Sequence, residues 1–450
     1  MIPEDTLLEI FDFYRLDAMK RSRGKPWKWQ RLAHVCRKWR HVVSVSPRRL
    51  GLQIFCISRG FIEFILATWP SFPLVLRFKC PKMKSLPRNL VFALRYPDRI
   101  CELDLVLPSS MIGLITEAIQ EPFLELERIQ ITSKDKKETP VLSTLLGGSA
   151  PRLKRIELDG VVVPFPSLRQ LLLSTINLTL LQLHNITSTS YFSSDVVTVL
   201  SHPALARLIA LDIQFRLSAF HSTLSRARPP PLTHATLSSL ARLWYRGTSD
   251  YWEEFVAQID SPVLTNIRIT FLNQLIFNIQ ETCQFLSRMD RLKFLHKVVV
   301  GFFMGFVSIE LCQRERRTWM WECNLEIICS QLDWQLSSAT QILSQLSPLL
   351  PNVKRLDIRT SPTLPTGNED VDSAQWLELF QLFPHSYTLF VAEPLGPCIA
   401  HALVDMVTET LPAFSLLSLS GYRKSPSAVE AVEKFVTMRT LSGHKVSVYG

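Results

Sequence analysis

The sequence predicts an α/β chain in which parallel strands line the concave face of a solenoid, preceded by a small all-α unit. Three observations predict it. Short apolar-x-apolar triplets recur along residues 51–450 with a mean spacing of about 28, the period of stacked repeats rather than of unrelated domains. Residues 1–50 instead carry apolar side chains at one-, three- and four-residue steps, the helical pattern. Hydrophobic content of 47% against 20% charged residues describes a chain that can fold around a core.

The first helix is expected to start at Pro3, whose fixed φ and missing N–H suit a first turn. Glu4 and Asp5 place negative charge at the positive end of its dipole. Leu7, Leu8, Ile10, Phe11 and Tyr14 then make an apolar stripe too wide for one partner helix to cover. A second helix is predicted over residues 29–43, where Leu32, Val35, Cys36, Trp39 and Val43 form a second stripe. Arg31, Arg37, Lys38 and Arg40 lie on its solvent side, and Ser46-Pro47 ends it. A unit this small buries too little apolar area to be stable alone, so its surplus apolar surface points to docking.

From residue 50 onward the predicted strands centre on residues 52–54, 76–78, 103–105, 129–131, 156–158, 181–183, 211–213, 243–245, 267–269, 298–300, 327–329, 356–358, 389–391, 417–419 and 446–448. Each unit hides its leucines only against the next, so a stack shares one core that a single repeat lacks. In such a strand the middle residue points away from the core. Arg242, Trp244, Arg246 and Arg268 take outward positions on adjacent strands, a composition suited to an interface hot spot or an acidic-peptide cradle. A one-residue register slip would instead bury Trp244. Asp104, Glu157, Asp212 and Asp357 fall on the same outward face and read as solvated residues.

Two interruptions read as projecting loops: residues 217–236, with three consecutive prolines at Pro229-Pro230-Pro231, and the acidic stretch 360–373. Residues 298–311 are open to a different reading, two strands joined around Met304-Gly305, which breaks the repeat there.

Two stretches carry a family resemblance: Ile2-Pro3-Glu4-Asp5-x-Leu7-Leu8-Glu9-Ile10-Phe11 and Leu32-x-x-Val35-Cys36-Arg37-Lys38-Trp39-Arg40. Together they resemble an F-box, the helical motif that binds the adaptor subunit of SCF-type cullin-RING ubiquitin ligases. Ser46-Pro47-Arg48-Arg49-Leu50, Glu121-Pro122-Phe123-Leu124-Glu125-Leu126 and 146–153 extend the likeness to fungal F-box-like leucine-rich-repeat proteins. The segment 15–28 departs from the pattern by being longer and more basic than the usual inter-helix loop, and the chain begins at the motif's second position. The resemblance implies a substrate-receptor subunit that is not itself an enzyme, with the SCF adaptor and through it a cullin scaffold as partners, and a protein substrate held by the repeats. It implies adaptor-binding or motif-defining roles for Pro3, Leu7, Leu8, Ile10, Phe11, Leu32, Val35, Cys36 and Trp39, with Leu8 the foremost direct contact. The alternative is a leucine-rich-repeat scaffold in which the F-box-like unit caps the array.

The remaining features narrow the function class. The formal charge of +10 would suggest nucleic acid, yet residues 1–50 hold twelve Lys and Arg against five Asp and Glu, which leaves a surplus of only three elsewhere. Lys20-Arg21-Ser22-Arg23-Gly24-Lys25 reads as a solvated loop or a nuclear-import patch. Nine cysteines, odd in number and without a C-x-x-C pair, predict reduced thiols in a cytoplasmic or nuclear protein. The longest apolar run, residues 298–309, is too short to cross a membrane. No catalytic constellation, metal-ligand spacing, phosphate-binding glycine motif or cofactor signature is present, and Cys36 reads as a small hydrophobe in a helix stripe.

Overall fold

The computed structural model describes residues 2–21, 30–47, 50, 53–56, 62–79, 86–134, 140–186, 191, 193–216, 234–272, 276–313, 322–361, 373–404, 413–421 and 426–449. The chain is mixed α/β with a large, mostly parallel sheet that is not closed. It divides into two compact units, Met1–Tyr191 with His202–Leu208, and Phe192–Ser201 with Ile209–Gly450.

The first unit opens with helices α1 (Glu4–Arg21), α2 (Gln30–Ala33) and α3 (Arg37–Val45). Six parallel strands follow, β1 (Ile54–Cys56), β2 (Leu74–Lys79), β3 (Ile100–Leu107), β4 (Arg128–Ser133), β5 (Arg155–Asp159) and β6 (Leu180–Ile186), side by side in chain order. Helices α4 (Ile62–Thr68), α5 (Arg88–Ala93), α6 (Ser109–Thr116) and α7 (Phe165–Ser174) lie among the connections. The strands pair in step, so that Leu76, Leu103, Ile129, Ile156 and Leu181 form one row and Phe78, Leu105, Ile131, Leu158 and Leu183 the next. Every member of both rows is buried. At about 1.5–3 kcal/mol for each fully buried aliphatic or aromatic side chain, these rows are the main stabilising term of the ladder.

The second unit has strands β7 (Ala210–Phe215), β8 (Ala235–Thr236), β9 (Arg242–Gly247), β10 (Ile259–Asp260), β11 (Asn266–Leu272), β12 (Lys297–Phe303), β13 (Phe306–Cys312), β14 (Cys323–Ile328), β15 (Arg355–Thr360), β16 (Thr388–Val391), β17 (Leu416–Leu419) and β18 (Ser447–Tyr449). Its helices are α8 (Ser193–Leu200), α9 (Ser249–Val256), α10 (Gln280–Ser287), α11 (Leu332–Gln345), α12 (Ser373–Gln381), α13 (Gly396–Val404) and α14 (Pro426–Leu441). The strand order is β7-β9-β11-β14-β13-β12-β15-β16-β17-β18, while β8 and β10 form a separate short pair.

All fifteen predicted triplets lie in or overlap strands of the large sheet. The stretch around Met304-Gly305 is a hairpin: β12 and β13 pair antiparallel, and Gly305 takes φ +96, which a residue with a Cβ rarely adopts. Because β13 also pairs antiparallel with β14, the three strands run backwards along the sheet, and β14 rather than β12 sits beside β11. Helix α11 contacts all three.

Three expectations need correction. The first helix runs on to Arg21, so residues 15–21 are not loop; residues 22–29 lie outside the described set. The predicted helix over 29–43 breaks into α2 and α3, because Cys36 has extended backbone (φ −158, ψ 173) and caps α3, its thiol accepting from the Trp39 amide at 3.5 Å. Val35 and Cys36 therefore sit in an exposed turn rather than in a buried stripe. Of the segment expected to project at 217–236, Ala235–Thr236 is strand, and residues 217–233 lie outside the described set, as do 362–372 of the acidic stretch.

On the helix side of the second unit, Tyr245 packs against Trp252 of α9 and donates its hydroxyl to the Thr248 carbonyl at 2.8 Å. Its ring covers Gly247, where a Cβ would stand 2.2 Å from the Tyr245 oxygen. Neighbouring units are also joined by a side-chain cap. The Glu253 carboxylate of α9 accepts from the amides of Glu281 (2.7 Å) and Thr282 (3.1 Å) and from the Thr282 hydroxyl, at the start of α10, and Trp252 Nε1 donates to that hydroxyl at 2.7 Å. Burial raises the Glu253 carboxyl above its ordinary range, outweighing these three donors, which lower it.

Gly247→Ala is expected to cost about 1–3 kcal/mol through overpacking, read as a lower urea midpoint with unchanged slope. For Glu253 the folded state favours the protonated form. Its contribution to stability is therefore fully present below the ordinary carboxyl pKa and is lost as pH rises through the raised one. Urea midpoints measured over that interval should fall less steeply with pH in Glu253→Gln than in the unsubstituted chain.

Candidate functional site

Two surfaces carry the predicted site residues, one in each unit. In the helical unit the inner face of α1 is formed by Leu7, Leu8 and Phe11, all buried, with Leu32, Ala33, Val42 and Val43 buried across from them. Phe11 meets the half-buried Trp39 edge to face at 4.9 Å. Lys38 Nζ donates to the Ile2 carbonyl at 2.5 Å and Arg40 Nε to the Ala33 carbonyl at 3.0 Å, which tie α3 to the start of α1 and to the end of α2. The Pro3 carbonyl accepts the first helical bond, from Leu7, and its ring is exposed. Leu8 is thus internal packing and not an open contact.

What stays in water is a different set. Ile10 is 40% exposed, Phe13 76% and Val35 58%. At 100° per residue Ile10 and Phe13 share a side of α1 whose centre faces away from that of the Leu7–Leu8–Phe11 side. Phe13 was missed in the sequence because the stripe was traced through Tyr14; the signal was there as a second apolar i, i+3 pair on the same helix. At the other end of the helical unit, the Ser71 hydroxyl donates to the Ser44 carbonyl at 3.0 Å, and Arg99 holds the turn below by donating to the Trp69 and Phe72 carbonyls.

The second surface is the sheet face away from the helices in the second unit. Leu243 and Tyr245 point into the core, so Trp244 points out, half-buried, and no register slip occurs. Pairing places Trp244 beside Arg268 and Asp212, and Arg246 beside Thr270 and Gln214. The indole is fixed by its N–H donating to Asn266 Oδ1 at 3.0 Å. Arg242, Trp244, Arg246 and Arg268 are thus brought together as predicted.

The carboxylates on this face are not solvated, contrary to expectation. Asp357 is 1% exposed and lies 2.6 Å from Lys297 Nζ, 2.6 Å from Arg355 Nε and 3.5 Å from Arg359 Nη2. Glu326 is also buried; it accepts from Arg268 at 2.6 Å, Thr270 at 3.0 Å and Asn324 at 3.1 Å. Asp212 is buried as well, with Gln214 Nε2 donating to it at 3.0 Å. Half-buried Glu310 is raised by burial, which prevails over the lowering effect of Arg359 and Lys297. In the first unit the outward row is a ladder of ion pairs, with Arg77–Glu102 at 2.9 Å, Lys79–Asp104 at 3.9 Å and Arg128–Glu157 at 3.0 Å. A low layer of acid under an upper layer of guanidinium results, because only paired charges are tolerated out of water.

Burial pushes the thiols of Cys56, Cys101 and Cys312 up to about 12 and that of Cys329 to about 11, so at neutral pH they are protonated and weak nucleophiles. Cys36 is exposed at its cap and is not the buried hydrophobe expected. Among the described residues no group of three His, Cys, Asp or Glu is placed to hold a metal ion, and no helix is long and apolar enough to cross a membrane. The sequence matches no protein-family model and no curated protein.

Asp357→Ala would strand the Lys297 ammonium, whose side chain is 15% exposed, beside two more cations. A loss of about 3–5 kcal/mol is expected from breaking so buried a group, measured by urea unfolding. Arg242→Ala, which breaks no ion pair of this cluster, should change stability by no more than about 0.5 kcal/mol in the same assay.

Proposed function

We propose that this chain is a substrate-receptor subunit of an SCF-type cullin-RING ubiquitin ligase. In this reading the N-terminal helices are an F-box that docks the adaptor, and the strand ladder is a leucine-rich-repeat solenoid that holds a protein substrate. The observation that carries the reading is the division of α1 into two apolar sides. Leu7, Leu8 and Phe11 satisfy the unit's own core, while Ile10 and Phe13, with Val35 in the turn before α3, remain uncovered. A helix that needs only to fold has no use for the second side. The proposed role is positioning: holding a target near the ligase's charged conjugating enzyme makes an encounter effectively local.

The scaffold reading, in which the helices cap the array, is favoured by the burial of Leu7, Leu8 and Phe11 and by the Ser71–Ser44 hydrogen bond at the junction. The two readings separate on the exposed side chains. A pull-down of the SCF adaptor by the full chain should succeed, and Phe13→Asp with Val35→Asp should abolish it while leaving the unfolding transition in place. An unpaired carboxylate forced into an apolar interface costs several kcal/mol, enough to dissolve a micromolar complex. No capture by the folded, unsubstituted chain, or capture indifferent to both substitutions, decides for the scaffold.

A further inference from the structure

We infer that the outward face of β9 binds an extended acidic peptide of the pattern acidic-x-apolar-x-acidic, with Arg242 and Arg246 taking the two carboxylates and Trp244 the apolar side chain between them. The inference rests on the reading of this sheet face as the recognition surface and names the class of segment it takes.

Charge supplies the first argument. The buried carboxylates on this part of the face are already engaged: Asp212 with Gln214, Glu326 with Arg268, Thr270 and Asn324, Asp357 with Lys297, Arg355 and Arg359. Arg242 and Arg246 are the contrast. Neither guanidinium makes a hydrogen bond or ion pair with a described residue, although Arg242 is exposed and Arg246 half-buried with its Nε out of contact with water. A guanidinium held partly out of water without an acceptor is an unsatisfied cost, which an incoming carboxylate relieves.

Spacing supplies the second. Alternate residues of a strand stand on one side about 6.6 Å apart, so Arg242, Trp244 and Arg246 form a straight row with the same two-residue repeat that an extended peptide presents. The indole is already anchored through Asn266, so its ring is in place before any partner arrives and costs little ordering on contact. Nucleic acid suits the row less well, because its evenly charged backbone would run across the buried acids Asp212, on the adjacent β7, and Glu326, on β14 beyond β11, as well as over the arginines.

The test is fluorescence anisotropy with the full chain and a fluorescein-labelled peptide carrying glutamates at i and i+4 around a leucine at i+2. Three comparison probes are an isomer with the two glutamates adjacent, the glutamine counterpart, and a single-stranded DNA oligonucleotide. The spaced peptide should bind at least about tenfold more tightly than either peptide control, and Arg242→Gln with Arg246→Gln should remove that advantage. Lys434→Gln, exposed on α14, should leave it intact. Tryptophan quenching by the spaced peptide should vanish in Trp244→Phe, which keeps an aromatic ring and so tests the site without depending on the arginine variants. Equal binding of the spaced and adjacent isomers, indifference to the two arginines, or preference for the oligonucleotide overturns the inference. Adaptor capture is scored separately: a chain that captures the adaptor but ignores the spaced peptide refutes only this inference, and one that binds the peptide but not the adaptor refutes only the receptor reading.

Discussion

The structure depends on strands staying in step. In a parallel ladder a slip by one residue exchanges the buried row for the outward row along a whole strand, turning leucines to water and arginines to the core. The rows that run Leu76, Leu103, Ile129, Ile156, Leu181 and Phe78, Leu105, Ile131, Leu158, Leu183 make that exchange prohibitive, since each strand fixes the next. The same lock sets the outward chemistry. Trp244 stands beside Arg268, and Asp357 among its three cations, because the leucines beneath permit no other placement.

Between neighbouring strand–helix segments, the lock is reinforced where helices begin. Glu253 reaches from α9 to the first amides of α10, and in the same way Gln345 of α11 accepts from the Ile279 amide at 2.8 Å and donates to the Phe277 carbonyl at 2.6 Å. Helix-start donors that would otherwise need water are answered by a neighbouring unit. Each unit thus completes another both in apolar burial and in hydrogen bonding.

Strand positions were legible in the sequence because a two-residue apolar alternation at a steady period has no competing explanation, and the hairpin at Gly305 was legible as a breach of that period. The order of β12, β13 and β14 was not, since periodicity says where a strand is and not which edge it joins. In the helical unit, apolar spacing through Val35 and Cys36 suggested one continuous helix; the break there is a capping choice that Cys36, an uncommon cap, does not advertise. The outward placement of Arg242, Trp244, Arg246 and Arg268 followed from alternation alone. The burial of Asp212, Glu326 and Asp357 did not: Arg268 and Thr270 reach Glu326 from β11 and Lys297 reaches Asp357 from β12, each three strands earlier in the chain, a proximity that alternation does not reveal.

The reversed trio of strands sets a parity condition on the molecule. Elsewhere in the large sheet a unit is one strand and its return, so gaining or losing one leaves every later strand pointing the same way. At β12 and β13 the chain turns back on itself without a helix, and only a pair of strands can be gained or lost together. Loss of β13 alone would reverse every strand from β14 to β18 and send α11 to the wrong side of the sheet. Insertions and deletions in this array are therefore quantised in ones along most of its length and in twos at the hairpin.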